Sequence, residues 1–140
     1  MTTAVSTCLF GGLDFATPTN EEVRGQVWAL LAGMYPHLAT LERRREQRFA
    51  FPRLLLLTPV DVESLAPIGA TFTAAGKHIS ESGLGFFHPD PLPYRWVIAS
   101  TETAEGLVLG FLVDVSWCRF TRQGWYESGG RFLKVVAAAR

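Results

Sequence analysis

Proline spacing is the feature that most constrains this fold. Six of the eight prolines lie between residues 52 and 93 and divide the chain into short apolar segments. A proline inside a helix removes a backbone donor and clashes with the preceding turn, and no long helical pattern follows Arg48. The segments are rich in the β-branched and aromatic residues that favour strands. We therefore predict six strands, at residues 53–60, 70–79, 95–100, 107–115, 117–122 and 131–136.

The connections between these strands favour antiparallel pairing of neighbours. The Thr-Ala-Glu-Gly sequence at 103–106 and the Glu-Ser-Gly-Gly sequence at 127–130 contain residues that tolerate turn conformations. Six short strands with large apolar residues on both faces commonly close into a barrel, because closure removes the sheet edges. The predicted fold is mainly β, a six-stranded antiparallel barrel.

The region before the barrel divides into an arm and a helix. Residues 1–19 have no sustained periodicity and predict a flexible arm. Apolar residues then recur at helical spacing over residues 20–41, with Asn20 as the expected N-cap. Pro36 predicts a break near that residue. The barrel domain is expected to occupy residues 42–140.

Composition restricts the classes of function. A chain of 140 residues fits one compact domain, and its formal net charge of zero argues against a protein that coats nucleic acid or anionic membrane. No signal peptide, membrane span, metal-ligand spacing or hydrolase motif is recognisable, so we expect a cytoplasmic protein that is not an enzyme and holds no metal or cofactor. Five aromatic residues are expected in the barrel core or on a helix-packing face: Trp96, Phe111, Trp117, Phe120 and Trp125. Asp114 is expected in solvent or paired with Arg119 or Arg122.

Positive charge is concentrated at the junction between the helix and the first strand. Four arginines lie within six residues there: Arg43, Arg44, Arg45 and Arg48. One interpretation is a solvated helix end whose cations pair with Glu42 and Glu46. The other is an anion site, because guanidinium groups bind phosphate oxygens bidentately and also stack on purine faces.

A second polar segment, residues 76–86, combines hydroxyl groups with glycines. It is either a plain turn or a ledge on which Ser80, Ser82 and Gly83 offer hydroxyls and free amides to an anion or a base edge. Taken alone, the segment does not distinguish these interpretations.

Together the two segments resemble the PilZ family. Arg44-x-x-x-Arg48 matches its first motif, and His78-x-Ser80-x-x-Gly83 is similar to its second, which usually begins with Asp or Asn; the likeness covers residues 42–136. PilZ domains are antiparallel barrels that bind the bacterial second messenger cyclic di-GMP. The resemblance therefore implies a PilZ-like barrel with a ligand site formed by Arg44, Arg48, His78, Ser80 and Gly83, with Arg43, Arg45 and Ser82 as additional candidates.

His78 departs from the motif in a way that affects the chemistry. A carboxylate or amide oxygen would accept from the guanine N1 and N2 donors, whereas neutral imidazole has one acceptor and imidazolium has none. If His78 contacts guanine, acidification through a pKa of about 6.5 should weaken binding and His78→Asp should strengthen it. The alternative is a strand-end histidine exposed to water.

The resulting expectation is a receptor or adaptor whose N-terminal junction changes conformation when cyclic di-GMP binds. It would signal to a downstream protein, without binding a nucleic-acid polymer or inserting into a membrane. The alternative is a degenerate PilZ-like interaction module that does not bind the nucleotide. Ligand stoichiometry, oligomeric state and the downstream process are left open.

Overall fold

One helix and seven strands make up the computed structural model, which describes residues 17–35 and 47–136. The helix α1 spans Thr17–Met34. The strands are β1 Phe49–Ala50, β2 Leu54–Pro59, β3 Phe72–Ile79, β4 Gly83–His88, β5 Trp96–Glu102, β6 Val108–Phe120 and β7 Tyr126–Val136.

The strands form a closed antiparallel ring. Hydrogen-bonded neighbours follow the order β3-β2-β5-β6-β7-β4, and β4 pairs back with β3. The short β1 pairs with the end of β3 that carries His78 and Ile79. The predicted fold class, a mainly β six-stranded antiparallel barrel with an N-terminal helix, is confirmed and is consistent with a PilZ-like fold.

One prediction of local structure is wrong in this part of the barrel, and another holds only for the turn at residues 80–82. The predicted turn at 127–130 lies inside β7, and β4 occupies part of the segment predicted as a turn or ledge. Their glycines serve strand packing: a Cβ added to Gly83 would lie 2.5 Å from the carbonyl oxygen of Gly130. Glycine in these strands therefore reflects close backbone approach rather than a change of chain direction.

The β6–β7 connection also differs from the prediction. The two strands predicted at 107–115 and 117–122 form the single strand β6, with a register shift between Val115 and Trp117. The chain reverses after β6, where the Thr121 amide donates to the Trp125 carbonyl at 2.7 Å and Gly124 has a φ of 90°. The predicted hairpin at 103–106 is confirmed by Gly106, with a φ of 87° and a hydrogen bond from its amide to Thr103.

Helix α1 packs against the barrel core. Its apolar residues Val23, Val27, Leu30 and Leu31 are buried in the same cluster as the barrel core. The helix begins at Thr17, so Asn20 is inside it rather than at its N-cap, and residues 17–19 are helical rather than part of an arm. A proline at position 18 is compatible with this start because first-turn amides have no intrahelical partner. The helix ends at Met34; residues 1–16, 36–46 and 137–140 lie outside the described residues.

Several side chains predicted to be buried or exposed are placed differently. Trp117 and Trp125 are exposed rather than in the core: Trp117 lies in the part of β6 beyond its pairing with β5, and Trp125 lies in the turn before β7. Asp114 is buried, and it accepts a hydrogen bond from Arg95 Nε at 2.8 Å instead of pairing with Arg119 or Arg122. Its neighbour on β7 is Arg131, at 3.9 Å. The burial of Asp114 is therefore compensated by cations from adjoining chain segments.

Candidate functional site

The second motif forms the turn between β3 and β4. The Ser80 hydroxyl accepts from the backbone amides of Ser82 and Gly83, both at 3.2 Å, and the Ser80 amide donates to the Gly83 carbonyl at 2.9 Å. The amides expected to be free for a ligand are thus occupied within the turn. The structure gives Ser80 and Gly83 a clear role in shaping this hairpin, since a serine hydroxyl stabilises a turn by such local bonds.

Glu81, between these residues, attaches the turn to α1. Its carboxylate lies 3.3 Å from Arg24 Nε and accepts a hydrogen bond from Trp28 Nε1. The next carbonyl along the turn, that of Ser82, accepts from the Phe132 amide at 2.8 Å. The motif is therefore fixed to both the helix and β7. Position 81 is variable in the second motif, so the motif does not single out Glu81.

Arg48 is brought to the second motif by the pairing of β1. Phe49 pairs with Ile79 and Ala50 pairs with His78, so Arg48 directly precedes a strand that lies beside the end of β3. Arg48 is exposed, and its positive charge interacts electrostatically with His78. The structure thus brings Arg48, His78 and the Ser80 turn together. Arg43, Arg44 and Arg45 lie outside the described residues.

His78 lies flat against the backbone of β4. A Cβ added to Gly85 would lie 2.8 Å from His78 Nδ1 and 3.0 Å from Nε2, so the imidazole occupies the space that any side chain at Gly85 would need. The pKa of His78 is lowered by burial and also by the charges of Arg48 and Lys77, while Glu127 opposes the shift. The ring is therefore neutral at pH 7 and able to accept a hydrogen bond.

Trp117 has the matching arrangement on β6. A Cβ added to Gly129 would lie 2.5 Å from its Cζ2 and 2.8 Å from its Nε1. Since Gly129 pairs with Gly85, the two rings lie on adjacent glycines of β4 and β7. We call His78 and Trp117, on Gly85 and Gly129, the aromatic platform. No sequence motif marks Trp117, because its position opposite Gly129 depends on the pairing of β6 with β7.

A cluster of charged residues borders the platform. The Glu127 carboxylate is buried and lies 2.5 Å from Lys77 Nζ and 3.0 Å from Arg119 Nη2. Burial by itself would raise the pKa of Glu127, but hydrogen bonds from Lys77 and Arg119 outweigh it and hold that pKa below its usual value. Arg119 also lies 5.9 Å from the centre of the Trp117 ring. Two cations share one carboxylate, so this surface keeps a local positive charge on a chain of zero net charge.

Two aromatic rings on neighbouring glycines, bordered by cations, suit a ligand with purine bases and phosphates. Aromatic faces stack on bases, and guanidinium groups both stack and bind phosphate oxygens.

Among residues 17–35 and 47–136, no group of three or more His, Cys, Asp or Glu residues is arranged to hold a metal ion. In the same residues, no helix is long and apolar enough to cross a membrane.

Comparisons with known proteins show a similarity of fold. No protein-family model matches the chain, and no curated protein matches it significantly. The solved structure of the Bacillus subtilis inhibitor of motility MotI/DgrA is similar, with a TM-score of 0.51 and 12% identity over 69% of this chain. The matched part is 46% of MotI/DgrA, so the chain corresponds to less than half of that protein. At this identity the likeness supports the barrel architecture alone.

Proposed function

We propose that the protein is a receptor for cyclic di-GMP that binds the nucleotide on the aromatic platform and does not transform it. The observation that carries this proposal is the position of Arg48. The β1–β3 pairing places this motif arginine beside His78, at the edge of a platform whose other ring is Trp117. The fold likeness to an inhibitor of motility is compatible with a regulatory role.

Each part of the site has a role in this proposal. One guanine stacks on the platform, and Arg48 bonds a phosphate or the O6 and N7 acceptors of guanine. The lone pair of neutral His78 lies in the plane of the ring, so it accepts from a donor of the second guanine rather than of the stacked one, while Arg119 and Lys77 contribute positive potential. Arg44 is the second arginine that the motif resemblance assigns to the ligand. Ser80 and Gly83 act by holding the turn in shape.

The same geometry suggests how binding is communicated. Phe49, the neighbour of Arg48, packs edge-on against Trp28 of α1 at a centroid distance of 5.6 Å. The hydroxyl of Tyr35 donates to the carbonyl of Ala50 at 2.6 Å. A ligand that repositions Arg48 therefore acts on a strand in direct contact with the helix. We infer that binding changes the conformation of this junction, which a downstream protein partner then recognises.

Calorimetric titration of the full chain with cyclic di-GMP tests the proposal. Arg48→Ala should weaken binding by about 1.5–3 kcal/mol, roughly 10- to 150-fold, because a charged hydrogen bond is lost. Arg122→Ala removes an exposed arginine from the β6–β7 turn and serves as the matched control, with unchanged affinity expected. Chromatography after incubation should recover the nucleotide intact. Equal affinity of wild type and Arg48→Ala would reject the assigned site, and nucleotide turnover would reject a purely receptor function.

A second candidate is an interaction module that has lost the nucleotide. It is favoured by the occupied amides of Ser82 and Gly83 and by imidazole at the position where the motif has Asp or Asn. The absence of binding heat at high protein concentration, with the protein shown to be folded, would select this candidate.

A further inference from the structure

The end of β6 beyond Val115 has an open strand edge despite the closed ring. The pairing of β5 with β6 ends at Asp114, followed by a hydrogen bond from the Val115 amide to the Arg95 carbonyl at 2.7 Å. Residues 116–120 continue β6 and pair with β7 on one side. Within residues 17–35 and 47–136, no backbone group pairs with 116–120 on the other side. All five of these residues are exposed.

The backbone groups that face outward follow from the strand alternation. In an antiparallel ladder, alternate residues direct both N–H and C=O toward the same neighbour. Because the Thr121 amide bonds the carbonyl of Trp125, the residue directly before β7, Trp117 and Arg119 also direct their groups toward β7. The N–H and C=O groups of Cys118 and Phe120 therefore point away from the barrel.

Beyond a bulge at Ser116, at the start of the segment, this edge lacks the other features that usually prevent strand addition. Exposed edges in soluble proteins are commonly protected by proline, a bulge, or an uncompensated charge. Residues 116–120, Ser-Trp-Cys-Arg-Phe, contain no proline, and their single charge on Arg119 is already paired with Glu127 at 3.0 Å. Phe120 is 64% exposed and Trp117 is 40% exposed. The segment is therefore suited to pairing with another strand.

We propose that a second copy of this chain pairs with this edge, joining two β6 strands antiparallel about a two-fold axis at Cys118. In this register Cys118 faces its own copy and Trp117 of each protomer faces Arg119 of its partner, which gives a cross-strand cation–π pair on one face. If the two-fold axis lay one residue closer to the β6–β7 turn, the two Arg119 side chains would lie directly opposite one another, and the repulsion between like charges disfavours that register. The two-fold arrangement satisfies both edges at once.

This inference shares the side chains of Trp117 and Arg119 with the proposed nucleotide site, but it depends on different groups. Pairing depends on the backbone N–H and C=O groups of Cys118 and Phe120 at the strand edge, whereas the proposed ligand contacts side chains on the outer face. The two can therefore be disrupted separately. A variant at Cys118 should remain able to bind cyclic di-GMP if the proposed function is correct, whatever its oligomeric state.

Sedimentation equilibrium under reducing conditions tests the pairing. We expect a reversible dimer with a dissociation constant below ~1 mM, because small interfaces give weak association. Cys118→Lys and Ser116→Lys should each weaken dimerisation at least tenfold by placing a charge at the edge. Ala75→Lys, at an exposed position of β3 that pairs with both β2 and β4, should leave it unchanged. Near-ultraviolet circular dichroism checks that each variant is folded. A monomer throughout the concentration range, or a dimer that both edge variants leave intact, would overturn the proposal.

Thiol cross-linking tests the register. In a Cys8→Ser background, Cys118 should form a disulfide-linked dimer on mild oxidation, since paired residues in antiparallel strands lie about 5.5 Å apart at Cα. The control carries Cys8→Ser, Cys118→Ser and Arg122→Cys. Its thiols would be about 27 Å apart in the proposed dimer, at about 3.4 Å per residue, and should not cross-link. Equal cross-linking of the two proteins would exclude this register.

Discussion

The imidazole of His78 occupies the space above Gly85 that a side chain would otherwise fill. The two residues pair across β3 and β4, and a Cβ on Gly85 would lie 2.8 Å from Nδ1 of the ring. The His78 ring can adopt this orientation only because residue 85 is glycine. This contact links a backbone feature to the surface that we assign to the nucleotide.

Gly85→Ala should displace the His78 ring. We expect a loss of about 1–3 kcal/mol in the free energy of unfolding, because the added methyl overlaps a packed ring. The double variant Gly85→Ala, His78→Ala removes the opposing ring. Adding Gly85→Ala to His78→Ala should therefore lower the free energy of unfolding by much less than adding it to the wild type. Chemical denaturation of the four proteins measures the coupling. Strict additivity would show that the ring does not limit this position.

Acidification should weaken cyclic di-GMP binding through His78. Burial and the charges of Arg48 and Lys77 lower its pKa below 6.5, so the neutral acceptor persists at neutral pH and is lost only at pH values below that. Calorimetry at pH 7.5 and pH 5 should therefore show weaker binding at the lower value. His78→Asn retains an acceptor that does not titrate, so its affinity should change less. His78→Asp should bind more tightly than wild type at pH 7.5; failure of all three expectations would place His78 outside the contact.

Glu127→Gln should have opposite effects on stability and ligand affinity. The substitution removes the charge that pairs with Lys77 and Arg119, and those cations are partly exposed, so we expect a loss of about 1 kcal/mol in stability. It also raises the local positive charge, so affinity for the doubly anionic ligand should rise, most clearly at low salt. Denaturation and calorimetry at two salt concentrations measure both quantities. Weaker ligand binding in a folded variant would contradict the proposed electrostatics.

His88 should make folding stability depend on pH. The side chain is fully buried, between the Ser128 hydroxyl and the Asp90 carbonyl, each at 2.7 Å. Burial lowers its pKa, against the opposing effect of Asp90. A histidine with a lowered folded pKa contributes stability that is fully present above its unfolded pKa of about 6.5 and is lost as pH falls toward the folded value.

Urea denaturation at pH 7.5 and pH 5.5 measures this contribution. His78→Asn serves as the background, because the pKa of His78 is also lowered. In that background, adding His88→Gln should cost about 1–3 kcal/mol at pH 7.5 through the disturbed hydrogen bonds, and should reduce the further loss on acidification. An unchanged pH dependence would show that His88 is not responsible.

Glu81→Ala should separate nucleotide binding from its effect on the helix. The substitution removes the acceptor for Trp28 and Arg24 without altering Arg48 or the platform. Hydrogen exchange should show faster exchange in α1, and nucleotide affinity should change less than threefold. Ligand-induced protection of α1 should be reduced relative to wild type. Arg24→Ala removes only the ion pair and provides a graded comparison; retention of full protection in Glu81→Ala would exclude this contact from the coupling.

Local sequence determined a good part of the fold. Strand propensity and proline spacing predicted a closed β-barrel, and the Thr103–Gly106 hairpin was predicted because a turn is a property of a few consecutive residues. The motif spacing also directed attention to Arg48, His78 and the Ser80 turn, which β1 and β3 bring together. Such features are encoded within single elements or between close neighbours.

Tertiary structure decided what the glycines and charged residues do. Gly85 and Gly129 were assigned to turns, because glycine has the same local signature in a turn and beneath an aromatic ring; only the β4–β7 pairing distinguishes the two. The exposure of Trp117 and the burial of Glu127 likewise depend on which strands lie beside them. Strand composition alone does not specify those neighbours, since pairing joins residues far apart in sequence and is selected by the packing of the whole barrel.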